Sequence, residues 1–150
     1  MKIIGITGVA RSGKDTLATY LVEHHGFSRI ALADPLREFV SSIADIPFEQ
    51  LLDGPAKEQP VDWLGGRTPR YMMQTLGTEW GRNTVDREVW LNVARRRIEK
   101  AARWGESVVI PDVRFDNEAE MVRQMGGEVI QVVRRGVGRK LSGWRSQVAR

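Results

Sequence analysis

The first sixteen residues, MKIIGITGVARSGKDT, constrain the fold more than any other segment. A short apolar run at 3–6 leads into a loop bounded by Gly8 and Gly13, and Lys14 follows where a helical pattern begins. Glycine lets the backbone curl so that several N–H groups point at one anion, and the helix directs its positive dipole end to the same place. This order predicts a phosphate-binding loop, in which Lys14 reaches the outer phosphates of a nucleoside triphosphate. The predicted nucleotide-binding residues are Gly8, Ala10, Arg11, Ser12, Gly13, Lys14, Asp15 and Thr16.

The loop departs from the strict GxxxxGK[ST] pattern at one position. Asp15 follows Lys14 directly, and the first hydroxyl comes one residue later, at Thr16. This spacing resembles that of nucleoside monophosphate kinases, which implies that Thr16 contacts phosphate and that Mg²⁺ is held largely through water. Asp15 is then a candidate anchor for such a water molecule. The alternative is a glycine-containing turn before an ordinary helix.

Composition bounds the class of protein. A chain of 150 residues is long enough for one domain with a real core. It has no cysteine and only two adjacent histidines, His24 and His25, which argues against thiolate chemistry and a histidine-rich metal site. No apolar run reaches the length of a membrane span, and the N-terminus lacks a signal-peptide pattern. A cytoplasmic enzyme is therefore expected, in the host cytoplasm if the chain is phage-encoded, with no membrane partner.

The positive charge is concentrated at the C-terminal end. The whole chain carries a net charge of +4, but six Lys or Arg and no acid lie between 134 and 150, so residues 1–133 carry −2. The body is slightly acidic, and a basic tail occupies about 136–150. Nucleic acid is therefore not the expected partner of the main surface.

Strand and helix patterns alternate along the chain. Strands are predicted at 2–7, 27–33, 107–110 and 128–133, helices at 14–25, from Asp34, at 47–52, 68–81, 86–104 and 116–125, and an irregular stretch at 53–67. This order predicts an α/β fold of three layers, a central parallel sheet flanked by helices, with 1–150 as one domain. Ligands lie at the carboxyl ends of such strands, so segments 8–16, 34–37, 112–114 and 134–135 are expected to share one crevice.

A carboxylate closes the apolar strand near residue 110. In enzymes with a phosphate-binding loop, a carboxylate such as Asp112 acts on Mg²⁺ directly or through water, and Arg114 is placed to reach a phosphate or the transferring phosphoryl group. The alternative is that Asp112 caps the next helix. Glu118 lies early in that helix, where the dipole favours an acid, or it faces the site.

The segment 68–82, TPRYMMQTLGTEWGR, predicts a second site on a helix. Met72, Met73, Leu76 and Trp80 form an apolar stripe, and a neighbouring line carries Arg70, Gln74, Gly77 and Gly81. That line suits a ligand lying on the helix, with Arg70 for a monophosphate, Gln74 for a base edge and the glycines for close approach. The alternative is an ordinary amphipathic helix, which leaves the two glycines unexplained.

Asp34 and Pro35 predict the start of the second helix. Asp34 is expected to cap it, and Pro35 fits the first turn. Arg37, one turn later, is a candidate phosphate ligand or a solvated surface arginine. Asp34 and Arg37 join Arg70 and Gln74 as the predicted substrate-binding residues.

Four segments together resemble the deoxynucleoside monophosphate kinases encoded by bacteriophages. They are ITGVARSGKDTLA, ALADPLREF, TPRYMMQTLGTEWGR and VVIPDVRFDNEAE, in this order, and the resemblance covers residues 1 to about 134. DVRFDNEAE and LGTEWGR are more specific than the phosphate-binding loop, which many families share. The resemblance implies the P-loop kinase fold and transfer of the ATP γ-phosphoryl group to a deoxynucleoside monophosphate, with Mg²⁺.

The same resemblance implies the roles of the site residues. The loop from Gly8 to Thr16 holds ATP, and Arg37 and Arg70 hold the acceptor phosphate. Lys14, Asp112 and Arg114 are the catalytic residues at the reacting phosphates, and Asp15 and Asp112 hold the metal through water.

The chain departs from the family after the strand at 128–133. Family members continue with a lid segment, another helix and a final strand, whereas this chain has only GVGRKLSGWRSQVAR, with Leu141, Trp144 and Val148 at amphipathic spacing. The predicted fold is therefore shortened at the C-terminus, and the lid arginine candidates are Arg134, Arg135 and Arg139. Either a partner subunit completes the enzyme, as in a homodimer, or activity is impaired. Two other functions remain open: a kinase for another small acceptor, and a non-catalytic nucleotide- or nucleic-acid-binding module.

Overall fold

The described strands form one parallel sheet. The computed structural model describes residues 1–52 and 54–135, and its strands are β1 (Ile3–Thr7), β2 (Ser28–Arg29), β3 (Val108–Ile110) and β4 (Glu128–Gln131). All pairings are parallel, in the order β2-β3-β1-β4. β1 and β3 are the inner strands and are almost wholly buried, as their continuous apolar sequences predict. The predicted three-layer α/β architecture with a parallel sheet is confirmed.

β2 is much shorter than the predicted strand at 27–33. It pairs only with β3, and the last bond of this ladder runs from the Ile30 N–H to the Val109 carbonyl, 3.0 Å. The next residue along the β3 side that would donate to β2 is Pro111, which has no N–H. The ladder therefore ends, and the chain turns at 32–33 into the second helix.

Helices connect the strands, and the described part of the chain between β2 and β3 contains several of these helices and no strand. They are α1 (Lys14–His25), α2 (Asp34–Ala44), α3 (Phe48–Leu52), α4 (Pro69–Thr75), a π-helix (Leu76–Val85), α5 (Val89–Arg103) and α6 (Asp116–Gln124), with 3₁₀ turns at Pro55–Glu58 and Asp62–Leu64. Among the described residues, none of these helices has the length and apolar character needed to cross a membrane.

The predicted helix at 68–81 changes its winding part way along. It begins as predicted, because the Thr68 hydroxyl accepts a hydrogen bond from the Tyr71 N–H at 3.1 Å. From Leu76 onward the bonds span five residues, as from the Asp86 N–H to the Gly81 carbonyl, 3.0 Å. The wider winding shifts the phase of the side chains, so Trp80 is 51% exposed and does not extend the predicted apolar stripe.

The chain forms two units, each with its own apolar cluster. The first comprises Met1–Ala31 and the described residues from Arg95 onward, and the second comprises Leu32–Ala94. The first cluster is Ile6, Ala18, Phe27 and Val109, flanked by Ile4, Leu17, Leu21 and Val132. The second is Val40, Ala44, Leu51 and Val61, against which Met72 and Met73 pack. That 1–150 act as one domain stays a prediction.

Candidate functional site

The loop between β1 and α1 has the backbone form expected of an anion cradle. The Ser12 N–H donates to the Val9 carbonyl at 3.1 Å, which closes a turn. Arg11 and Gly13 lie on either side of Ser12 with φ of 64° and 97°. Gly13 takes this left-handed conformation readily, whereas a non-glycine residue such as Arg11 adopts it only at a cost. Alternation of this kind turns successive N–H groups toward one point.

Among the described residues, no side chain caps the N-terminus of α1. Gly13 occupies the N-cap position, and the first bond inside the helix runs from the Leu17 N–H to the Gly13 carbonyl, 3.0 Å. The N–H groups of the first turn, including those of Asp15 and Thr16, have no side-chain acceptor from the N-cap residue. They are therefore available to an anion, which the helix dipole also favours.

Ser12 supplies a buried hydroxyl without a partner. The residue is 4% exposed, and its Oγ makes no hydrogen bond to any described residue. Gly8 lies directly against it: a Cβ built on Gly8 would be 2.5 Å from the Ser12 Oγ and 2.9 Å from the Val132 carbonyl oxygen. Buried hydroxyls are almost always hydrogen-bonded, so an unpaired one inside a phosphate-type loop fits a ligand oxygen as its missing partner. The residues present therefore fit a nucleotide phosphate.

Lys14 lies against the same loop. Its Nζ donates to the carbonyl oxygen of Gly8 at 3.4 Å, and its side chain is half-buried. The ammonium group is thus held beside the first residue of the loop, where a phosphate in the cradle would meet a positive charge.

Asp112 lies next to the point where the loop leaves β1. The pairing of Gly5 with Ile110 and the bond from the Val113 N–H to the Ile6 carbonyl, 3.1 Å, keep the chain after β3 alongside β1. The N-cap residue of α6 is Phe115. The alternative that Asp112 caps the next helix is therefore wrong.

Glu118 fixes the backbone that carries Arg114. Its Oε2 accepts hydrogen bonds from the N–H groups of Arg114, 2.6 Å, and Phe115, 3.0 Å, while the Arg114 side chain remains exposed. Neither interpretation offered by the sequence, a dipole-favoured acid or a residue that faces the site, includes this role of Glu118. The signal was the Glu three residues after the cap, the acidic half of a capping box whose other half is here Phe instead of Ser or Thr.

The second unit contains the predicted acceptor residues. The expected cap at Asp34 is wrong: Ala33 is the N-cap of α2 and Asp34 is its first residue. The Asp34 Oδ1 instead accepts from Arg37 Nη1 at 3.1 Å, and the two side chains are only 11% and 15% exposed. The carboxylate therefore fixes the arginine from the preceding turn.

Arg70 and Gln74 lie on the exposed side of α4. The Nε of Arg70 contacts Oε1 of Glu58 on the preceding 3₁₀ turn, and one residue further the Tyr71 ring lies 4.6 Å below the guanidinium carbon of Arg67. No pattern in the sequence indicates Glu58 or Arg67 as a site residue.

The two glycines of the π-helix pack against side chains. A Cβ on Gly81 would lie 2.7 Å from the Trp90 ring, whose Nε1–H donates to the Gly77 carbonyl at 2.8 Å. The expectation that a ligand explains Gly81 is therefore wrong. At Gly77 the nearest neighbour of such a Cβ is Leu36, at 3.2 Å. The structure thus supplies a packing reason for both residues.

The predicted residues divide between the units. Lys14, Asp15, Thr16, Asp112 and Arg114 belong to the first unit, and Asp34, Arg37, Arg70 and Gln74 belong to the second. A shared crevice for both groups stays a prediction. Arg134 and Arg135 are exposed after β4, whereas Arg139 and the tail pattern at 141–148 lie outside the described residues.

Metal ligands are sparse in this site. Within 1–52 and 54–135, no three His, Cys, Asp or Glu side chains cluster as a metal-binding group. Asp15 and Asp112 are single carboxylates, a donor set that fits a cation retaining most of its water, as Mg²⁺ commonly does.

Comparison with known proteins places this site in context. Residues 67–142 match the family model described as deoxynucleotide monophosphate kinase. A protein of Acanthamoeba polyphaga mimivirus, provisionally assigned as a deoxynucleotide monophosphate kinase, is 33% identical over 152 residues, covering 91% of this chain and 76% of that protein. The deoxynucleotide monophosphate kinase of Enterobacteria phage T4 is 24% identical, covering 91% of this chain and 83% of that protein. The deoxynucleoside-5'-monophosphate kinase of Escherichia phage T5 is 42% identical over 57 residues, covering 38% of this chain and 22% of that protein.

Proposed function

This chain belongs to the deoxynucleotide monophosphate kinase family and is a nucleotide kinase, and we propose that it transfers the γ-phosphoryl group of ATP to a deoxynucleoside monophosphate. The products are ADP and the deoxynucleoside diphosphate. The observation that carries the donor half of this proposal is the buried hydroxyl of Ser12, which has no hydrogen-bond partner within 1–52 and 54–135, in a loop before a helix that no side chain of those residues caps. The names of the viral relatives support the acceptor half.

The donor phosphates bind to the loop at the start of α1. Loop and first-turn N–H groups surround the phosphate oxygens, and the Ser12 Oγ gains its missing partner from one of them. Lys14 moves from the Gly8 carbonyl to the outer phosphates, because a charged acceptor forms a stronger hydrogen bond than a neutral carbonyl. Thr16 adds a hydroxyl at the same end of α1.

Mg²⁺ would be held through water by Asp15 and Asp112, and it would neutralise charge on the donor phosphates. Both carboxylates lie next to the loop, Asp15 in the first turn of α1 and Asp112 beside the end of β1.

The chemical step needs positive charge more than it needs a base. An oxygen of the acceptor monophosphate is already anionic, so it attacks the γ-phosphorus while the bond to the β–γ bridging oxygen breaks and ADP leaves. Lys14 and Arg114 stabilise the charge that spreads over the transferring group. Glu118 contributes indirectly, because its hydrogen bonds fix the backbone of Arg114.

The acceptor binds through the residues of α2 and α4. Arg37 and Arg70 bind the monophosphate, Asp34 fixes Arg37 through their ion pair, and Gln74 contacts a base edge. Low exposure of the Asp34–Arg37 pair favours a single orientation of that guanidinium.

An acceptor panel tests the proposed reaction. ADP release is measured with ATP, Mg²⁺ and each common nucleoside and deoxynucleoside monophosphate. Turnover with deoxynucleoside monophosphates supports the proposal, and turnover only with another phosphorylated acceptor replaces it with a different kinase. A non-catalytic nucleic-acid module predicts no ADP release and tight, steeply salt-dependent DNA binding in a filter assay. Sedimentation velocity with and without substrates tests whether the active species is a homodimer.

A matched pair of lysine variants tests the donor site. Lys14→Ala is expected to abolish phosphoryl transfer, because it removes the positive charge at the donor phosphates. The thermal unfolding curve is expected to stay close to that of the wild type, because the half-buried Lys14 ammonium makes a long hydrogen bond of 3.4 Å to the Gly8 carbonyl, which contributes little to stability. Lys100→Ala, at an exposed position of α5, is the control and is expected to retain activity. Wild-type turnover in Lys14→Ala contradicts the assignment.

A further inference from the structure

Arg70 contacts a carboxylate through Nε, and its two terminal nitrogens, Nη1 and Nη2, belong to a half-exposed side chain. Its Nε contacts Oε1 of Glu58, and the two side chains are 50% and 58% exposed. Among the described residues, no hydrogen-bond partner is found for Nη1 or Nη2 of this arginine. The guanidinium therefore keeps a two-nitrogen fork directed away from the carboxylate, which is the geometry that binds two oxygens of a phosphate.

The position of Arg70 on its helix is unfavourable without a nearby anion. It lies in the first turn of α4, directly after the Thr68 cap and Pro69, and that turn contains no acidic residue. A cation there opposes the helix dipole. Glu58 offsets the unfavourable charge from outside the helix.

The carboxylate sits on a restrained segment of chain. Glu58 ends the 3₁₀ turn that begins at Pro55, and Pro60 follows two residues later. The Gln59 N–H donates to the Ala56 carbonyl at 3.3 Å, and Lys57 Nζ donates to the Leu52 carbonyl at 3.2 Å. Proline rings fix φ and shorten the list of conformations open to the turn. The backbone position from which the Glu58 side chain reaches Arg70 is thus restrained.

We infer that Glu58 is a positioning residue for the acceptor phosphate: it holds Arg70 through Nε and leaves the Nη1–Nη2 edge to bind the monophosphate. This inference rests on the proposed function, in which Arg70 binds that phosphate. An arginine already held in one orientation loses less rotamer freedom when the ligand binds. Glu58 therefore acts on acceptor affinity and not on the chemical step.

Steady-state kinetics with a deoxynucleoside monophosphate accepted by the wild type test this role. Glu58→Ala is expected to raise the acceptor KM about three- to tenfold, the range for one long side chain left unfixed. We expect kcat and the KM for ATP to stay within about twofold, because the carboxylate touches neither the donor nor the reacting atoms. Glu58→Gln is expected to restore much of the affinity, since its amide oxygen still accepts a hydrogen bond from Nε.

Glu49→Ala provides the matched control. It removes the same charge from an exposed position of α3 in the same unit, and Glu49 has no described partner. Its acceptor KM is expected to equal that of the wild type. A wild-type or lower acceptor KM in Glu58→Ala overturns the inference, and a lower value identifies Glu58 as a competitor of the phosphate. A Glu58→Gln variant as impaired as Glu58→Ala also overturns it.

Arg70 variants separate this inference from the proposed function. Arg70→Ala is expected to raise the acceptor KM, and the further change Glu58→Ala is expected to add nothing in that background. If Arg70→Ala raises the KM and Glu58→Ala does not, only the positioning role fails. If Arg70→Ala has no effect, the acceptor assignment of Arg70 fails, and the inference fails with it. If no deoxynucleoside monophosphate releases ADP, the proposed function itself fails.

Discussion

Replacing Ser12 with alanine is expected to have opposite effects on folding and on nucleotide binding. Ser12 is 4% exposed, and its hydroxyl has no hydrogen-bond partner among the described residues. In the unfolded chain the same hydroxyl bonds to water. The folded protein without nucleotide therefore carries the desolvation cost of an unpaired polar group, about 1–3 kcal/mol. Ser12→Ala removes that cost together with a small amount of packing.

The net stabilisation without nucleotide is expected to be about 1 kcal/mol, which raises Tm by about 2–4 °C for a chain of this size. Circular dichroism melting and urea unfolding of the nucleotide-free protein measure it. Ser41→Ala is the matched control, because the Ser41 hydroxyl donates to the Ile46 carbonyl at 2.6 Å. Deleting a bonded hydroxyl is expected to lower the free energy of unfolding, by about 1 kcal/mol.

Nucleotide affinity is expected to fall in Ser12→Ala, whereas stability without nucleotide rises. A hydrogen bond to a charged phosphate contributes about 1.5–3 kcal/mol, so Ser12→Ala is expected to weaken binding of a non-hydrolysable ATP analogue by about tenfold or more. Isothermal titration calorimetry measures this affinity. A Ser12→Ala protein that melts at or below the wild-type temperature refutes the argument from the unpaired hydroxyl. Unchanged affinity refutes its role in the phosphate cradle.

Three further substitutions test the packing of the loop and of the π-helix. Gly8→Ala is expected to lower stability by about 1–3 kcal/mol and to weaken ATP binding, because its Cβ would lie 2.9 Å from the Val132 carbonyl. Chemical unfolding and calorimetry measure the two effects, and wild-type stability and affinity in this variant would contradict the prediction. Arg11→Val is expected to cost about 1 kcal/mol more than Arg11→Asn, because φ at this position is 64° and β-branched residues tolerate that region poorly; equal unfolding midpoints would show that the loop relaxes. Gly81→Ala is expected to lose about 1–3 kcal/mol and to alter tryptophan fluorescence, since its Cβ would lie 2.7 Å from the Trp90 ring; wild-type Tm and emission would show that the ring has room to move.

Local patterns predicted those elements whose conformation depends on neighbours along the chain. The apolar run at 3–6, the glycines around 8–13 and the helix beginning at Lys14 all occur in the structure as the sequence indicated. The Thr68 cap also forms as predicted. In each case a few adjacent residues select the backbone form, so the information is contained in a short window.

Prediction failed where a distant residue or an altered helical winding decided the outcome. The strand beginning at 27 stops early because Pro111, far along the chain, offers it no N–H. Trp80 left the predicted stripe because the helix winds more widely from Leu76, and Gly81 is explained by the ring of Trp90. Helical periodicity assumes one winding and no particular neighbour, so it could indicate neither result.

For this protein, the sequence alone predicted a loop of the phosphate-binding type from Gly8 to Thr16, because the conformation of such a loop is set by residues that are adjacent in the chain. The tertiary structure decided how the supporting residues act. It buries the Ser12 hydroxyl away from any partner in the part of the chain that the structure describes, joins Glu58 to Arg70 and turns Glu118 onto the backbone of Arg114. Burial and ion pairing depend on which segments the fold brings together, and these contacts arise only when the chain has packed.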